Sequence, residues 1–100
     1  MKALIFEVYE PYQTRKKSMK WTETENSLQA SFEFKNFAEA FGFMTEVALH
    51  AERMDHHPDW SNSWNKVHIQ LRTHSAGNRV TEKDTELAAC ISQIFTRYKS

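Results

Sequence analysis

The chain has 100 residues, among them 13 basic, 13 acidic, five His and one Cys, a length that supports a single domain with one core, burying roughly two thirds of what the unfolded chain exposes. Zero net charge and one short basic run, Arg15-Lys16-Lys17, exclude the electrostatic footprint of a nucleic-acid binder. Cys90 has no internal disulfide partner, Glu7 interrupts the apolar start before a signal-peptide core forms, and no stretch approaches a membrane span, so a cytoplasmic domain without a membrane partner is expected.

Residues 3–9 alternate loosely, with Leu4, Phe6 and Val8 on one side, and are read as a strand, although the same letters also suit one or two helical turns before Pro11. Residues 11–20 are polar and basic and read as a connection. Two short extended runs follow, separated by Glu25-Asn26. The second sets Leu28, Ala30, Phe32 and Phe34 against Gln29, Ser31, Glu33 and Lys35, so a hairpin with one apolar face is expected. Asn36 with Glu39 three residues later has capping-box spacing, Asn standing in for the usual Ser or Thr. The helix it starts should bury Phe37, Ala40, Phe41, Met44, Val47, Ala48 and Ala51 along one stripe.

Residues 52–64 are the densest in chemistry. His56 and His57 lie side by side where Pro58 stops the helical pattern, so the helix should end there and present both rings at its last turn. Glu52, four residues before His56, should share its face. Histidine changes charge near neutral pH, which suits a general acid or base. Beyond the proline, Val67, Ile69 and Leu71 alternate with His68, Gln70 and Arg72 as a half-buried strand. Its parity sets His74 on the side of His68, at the strand end beside Ser75-Ala76-Gly77-Asn78. Thr81 and Asp84 resemble a second N-terminal cap, followed by Leu87, Ala88, Ile91, Ile94, Phe95 and Tyr98 at helical spacing. The expected fold is α+β, an antiparallel sheet of about four strands with two long helices on one face, with room for additional short structure around Trp60 to Trp64.

Glu52-x-x-x-His56-His57-Pro58, followed by Trp64, His74 and Asp84, resembles the signature of the pterin-4a-carbinolamine dehydratases. Phe32-Glu33-Phe34-Lys35-Asn36-Phe37, Trp60-x-Asn62 and Val67-x-Ile69-x-Leu71-x-Thr73-His74 match the same family, and the likeness spans about residues 21–94. Where family members have a Gly-Trp pair this chain has Lys20-Trp21, so residues 1–20 read as a divergent extension of one domain covering residues 1–100.

The resemblance implies a lyase that eliminates water from a 4a-hydroxytetrahydropterin, without a metal or redox cofactor. It implies His56, His57 and His74 as catalytic residues. His56 and His74 would exchange protons with the departing hydroxyl, and His57 would bind and orient the ring. Glu52 and Asp84 would hold the imidazoles, Pro58 belongs to the same motif, and Trp60 would offer the flat substrate an apolar wall. Self-association as a homodimer or homotetramer follows from the family too. Two rival readings stand beside it. One is a zinc site, disfavoured because adjacent histidines seldom aim at one ion and no His-x-x-x-His or Cys pair accompanies them. The other is a dimerisation or regulatory binding module on the same fold. His50 and His68 need no role beyond scaffold, and the capping position alone accounts for Asp84.

Overall fold

The computed structural model describes residues 4–7 and 20–98. Residues 8–19, which hold most of the expected connection and its basic run, lie outside them. In chain order the elements are β1 (Leu4–Glu7), β2 (Lys20–Glu23), β3 (Leu28–Glu33), α1 (Phe37–Met54), β4 (Asp59–Ser63), β5 (Lys66–Leu71), a short 3-10 helix (His74–Ala76) and α2 (Glu82–Thr96). The strands form one antiparallel sheet in the order β1-β2-β3-β5-β4. The α+β class and both helices are as expected. The fifth strand is β4, formed by the residues that follow Pro58.

The alternation along β3 and β5 fixes which face is covered. Leu28 pairs with Leu71, Ala30 with Ile69 and Phe32 with Val67, and all six are buried. Their neighbours Ser31, Glu33 and Lys66 point to the open face and are exposed, because successive residues of a strand face opposite ways. His68 lies on that open face too, its Nδ1 2.9 Å from Ser31 Oγ. Both helices pack on the apolar face. There Phe32, Phe34, Phe43 and Phe95 form an aromatic cluster with ring centroids 4.8 to 6.0 Å apart. Trp21 joins it edge-on to Phe32, and its Nε1 donates to Ser92 Oγ at 3.0 Å, which pins β2 to α2 and satisfies a buried donor.

Helix α1 departs from its expected stripe. It buries Ala40, Phe43, Val47 and Ala51, with Met44 half-buried. Phe37 and Phe41 are about half exposed, at 49% and 54%, and Ala48 is exposed. The sequence carries apolar residues on more than one side of this helix, and contact with the aromatic cluster turns the buried arc towards Phe43. Its cap is as expected in part. Asn36 Oδ1 accepts from the Glu39 amide at 2.9 Å, but Glu39 Oε1 accepts from the Lys35 amide, not from Asn36. In α2 the expected residues are buried, with Tyr98 half-buried just beyond the helix end.

Candidate active site

The site is positioned by the way α1 stops. Asp55 takes the left-handed conformation (φ 55), and the amides of Asp55 and His56 bond back to the carbonyls of Glu52 and Ala51 at 3.1 and 3.0 Å. This is a left-handed helix stop, at a residue type that tolerates positive φ better than most. The helix therefore ends at Met54, four residues before Pro58. Neither imidazole belongs to its last turn, which corrects the expectation drawn from the proline. The reversal also separates the two rings. Glu52 meets His57, Oε1 to Nε2 3.0 Å, with both side chains exposed, so the expected pairing of Glu52 with His56 does not form.

His56 turns inward instead. It is 8% exposed, and its Nε2 lies 2.6 Å from Oδ1 of Asp84, which is fully buried. Asp84 sits in the first turn of α2, where its Oδ2 accepts from the Thr81 amide at 2.8 Å while Thr81 Oγ1 accepts from Lys83 N at 3.3 Å, completing a capping box. The same Oδ2 accepts from Thr73 Oγ1 at 2.8 Å. A carboxylate taking donors on one oxygen is most simply an acceptor on the other. His56 Nε2 then donates to Oδ1, and Nδ1 is the ring nitrogen that Asp84 does not engage. The expectation that capping alone accounts for Asp84 is therefore too small: the residue caps α2 and holds a histidine.

Strand β5 ends at Leu71, and the alternation in burial runs on through buried Thr73 to the point where the chain leaves the extended conformation. His74 opens the 3-10 turn directly after Thr73, with its side chain exposed. Thr73 anchors that turn through its own backbone: its amide donates to Arg79 O at 2.9 Å, and its carbonyl accepts from Ala76 and Asn78 at 3.1 and 3.0 Å. Gly77 (φ 81) and Asn78 (φ 58) supply the left-handed backbone that lets the chain turn back towards α2. Pro58 is half-buried between His57 and β4, and Trp60 is half-buried on the helix-facing side of β4, against the core. Trp64 stands at the β4–β5 turn, 64% exposed with φ 51.

The direct contacts thus join buried His56, Asp84 and Thr73 with half-buried Thr81 in one network and leave Glu52 with His57 as a separate exposed pair. Among the described residues, no three His, Cys, Asp or Glu side chains form a group suited to a metal ion. Sequence reasoning missed Thr73 as a member of the site. A signal was present: strand parity carries Leu71 on to position 73 on the covered side, where a hydroxyl needs a partner.

An antiparallel sheet under two helices, with a buried imidazole-carboxylate pair where a helix stop meets a helix start, defines a small α+β domain. Residues 7–94 match the family model for pterin 4 alpha carbinolamine dehydratase, and the chain belongs to that family. Two bacterial relatives provisionally named as such dehydratases are similar over most of the chain. That of Rhodospirillum rubrum is 54% identical over 74% of this chain and 78% of its own. That of Paraburkholderia xenovorans is 55% identical over 69% and 71%. Among solved structures, a transcriptional coactivator/pterin dehydratase from Brucella melitensis superposes with a TM-score of 0.70 at 45% identity, over 74% of this chain and 80% of that one. A pterin dehydratase-like RuBisCO assembly factor of the α-carboxysome shares the fold at 19% identity, with a TM-score of 0.63 over 83% of this chain and 95% of that one.

Proposed function

We infer that the chain dehydrates a 4a-hydroxytetrahydropterin to the quinonoid dihydropterin, with its histidines moving the protons. The carbon-oxygen bond at C4a breaks, the departing hydroxyl takes a proton and leaves as water, and the pterin ring gives up a proton in exchange. In this reading His56, through Nδ1, and His74 exchange protons with the hydroxyl, and His57 binds and orients the ring. Asp84 fixes the His56 tautomer, Glu52 steadies His57, Trp60 offers an apolar wall, and Pro58 carries the chain from the histidines into β4. The observation that carries the reading is the 2.6 Å contact of His56 with a buried carboxylate, in a chain whose family is named for a pterin carbinolamine dehydratase. A scaffold has no need of a buried imidazole-carboxylate pair, whose desolvation it would have to offset.

The test generates 4a-hydroxytetrahydropterin in the cuvette and follows its ultraviolet decay with purified protein. Acceleration that is abolished by replacing His56 and His74 together, and a raised KM in His57→Ala, would support the assignment. No acceleration over buffer would favour the binding-module reading. We expect self-association as well. Phe37, Phe41 and Leu49 leave apolar surface exposed on α1, and β4 ends the sheet with an unpaired edge among the described residues. Sedimentation velocity on the parent and on Phe41→Lys tests this, a monomer in both counting against it.

A further inference from the structure

We propose that Thr73 is a positioning residue, whose hydroxyl holds Asp84 on His56 and ties the turn carrying His74 to the same carboxylate. The proposal rests on the dehydratase reading for its catalytic consequence and on geometry alone for its structural one. Thr73 is buried, 5% exposed. Its Oγ1 donates to Asp84 Oδ2 at 2.8 Å and lies 2.7 Å from Thr81 Oγ1.

The direction of every hydrogen in this network follows from its ends. The Lys83 amide donates to Thr81 Oγ1 at 3.3 Å, and the Thr73 proton is committed to Asp84. Thr81 must therefore spend its own proton on Thr73 Oγ1, since two hydroxyls in contact need one donor and one acceptor. The result is a one-way chain: Lys83 N–H to Thr81, Thr81 to Thr73, Thr73 to Asp84 Oδ2, with Asp84 Oδ1 receiving His56 Nε2–H. If Thr73 turned its proton to Thr81 instead, its oxygen would face Asp84 Oδ2 acceptor to acceptor, which costs more than the bond is worth.

The consequence reaches both candidate catalytic histidines. Asp84 is fixed by its own helix through the Thr81 amide, but the carboxylate can still rotate about that single bond. Thr73 removes this freedom and so sets the direction in which Oδ1 meets His56. Through its backbone the same residue holds the turn on which His74 stands. One side chain thus connects the strand end bearing His74 to the partner of His56, giving two residues 18 positions apart in the chain a common mechanical reference.

The experiment compares Thr73→Val, which keeps the shape and loses the hydroxyl, with Thr73→Ser, which keeps the hydroxyl. In substrate-free full-length protein, the downfield proton resonance of the His56–Asp84 hydrogen bond should shift or broaden in Thr73→Val and hold its position in Thr73→Ser. In the dehydration assay Thr73→Val should lower kcat about ten- to hundredfold, the range for one buried hydrogen bond to a charged group, with KM changed by less than about twofold. Thr73→Ser should recover most of kcat. A folded Thr73→Val with the resonance unmoved and kcat intact overturns the proposal. If that variant does not fold, Thr73→Ala carries the test, because it removes the same hydroxyl with a smaller side chain. An unmoved resonance and unchanged kcat there overturn it equally. Absence of dehydration by the parent protein would sink the dehydratase reading, while the resonance would still decide the role of Thr73 in placing His56.

Discussion

Replacing Asp84 with Asn separates the two duties of this residue, because the shape stays and the charge goes. Three donors converge on the carboxylate: the Thr81 amide and Thr73 Oγ1 at 2.8 Å on Oδ2, and His56 Nε2 at 2.6 Å on Oδ1. Asn has one acceptor oxygen. With it turned to Thr81 and Thr73, its NH2 faces His56, and the ring escapes a donor-donor clash by moving its own proton to Nδ1. The cap survives, so the protein should fold. Three charge-assisted bonds become neutral ones, at a cost of about 1 kcal/mol each, partly offset because a buried charge no longer needs desolvating. We expect a net loss of about 1–2 kcal/mol and a Tm lower by roughly 5–15 °C for a domain of this size. Catalysis should suffer far more. A reversed tautomer behind a catalytic histidine costs about 10⁴ in the serine-protease triad, and with other imidazoles at hand here a fall of about 10³ in kcat is expected. Nitrogen-proton correlation spectra would show the proton moved from Nε2 to Nδ1. A folded Asp84→Asn protein turning over within about threefold of the parent would refute the reasoning.

Glu52→Gln should change kcat/KM by no more than about fivefold, since the pair with His57 is solvent-exposed on both sides and such contacts contribute about 0–1 kcal/mol; a loss matching Asp84→Asn would show that the exposed pair closes over substrate. Gly42→Ala should stabilise the protein by about 0.5–1 kcal/mol, because a Cβ there meets only Tyr98 Oη at 3.6 Å, an ordinary contact in an exposed part of α1; an unchanged or lower Tm would contradict this. Burial raises the Cys90 thiol above its ordinary value of 9.0, with Glu46 adding to the rise and Arg53 opposing it. The fold therefore disfavours the thiolate, so Cys90 contributes no penalty below that value and costs stability as pH climbs through the raised one. Alkylation by iodoacetamide should accelerate with a midpoint above pH 9, and a midpoint below it would show that Arg53 dominates.

Much of the fold was legible because period and burial agree. In β3 and β5, strict alternation leaves one register that buries Leu28, Ala30 and Phe32 against Leu71, Ile69 and Val67. In α2, the capping box and the apolar spacing point the same way. Where local signals compete, the letters run out. Helix α1 offers Phe37, Phe41, Phe43 and Leu49 on different sides, and only contact with the aromatic cluster selects Phe43. The stretch after Pro58 has neither a strong alternation nor β-branched residues, and becomes β4 because β5 presents it an edge to pair with.

The site divides along the same line. Spacing and family likeness single out His56, His57, His74 and Asp84 as candidates, but the partners of the two adjacent histidines depend on one torsion that sequence reasoning assigned to the wrong residue. Pro58 is the conspicuous helix breaker, yet the chain is already reversed at Asp55 (φ 55). Had α1 run on to His57, the two rings would have projected about 100° apart from one helix end, and Glu52 would have stood over His56. Stopping at Asp55 sends His56 inward to a carboxylate sealed from water and leaves His57 outside with one that water surrounds. Two residues of identical chemistry and adjacent number thereby acquire different environments. This is the condition under which one imidazole can keep a fixed tautomer while its neighbour stays free to meet a ligand.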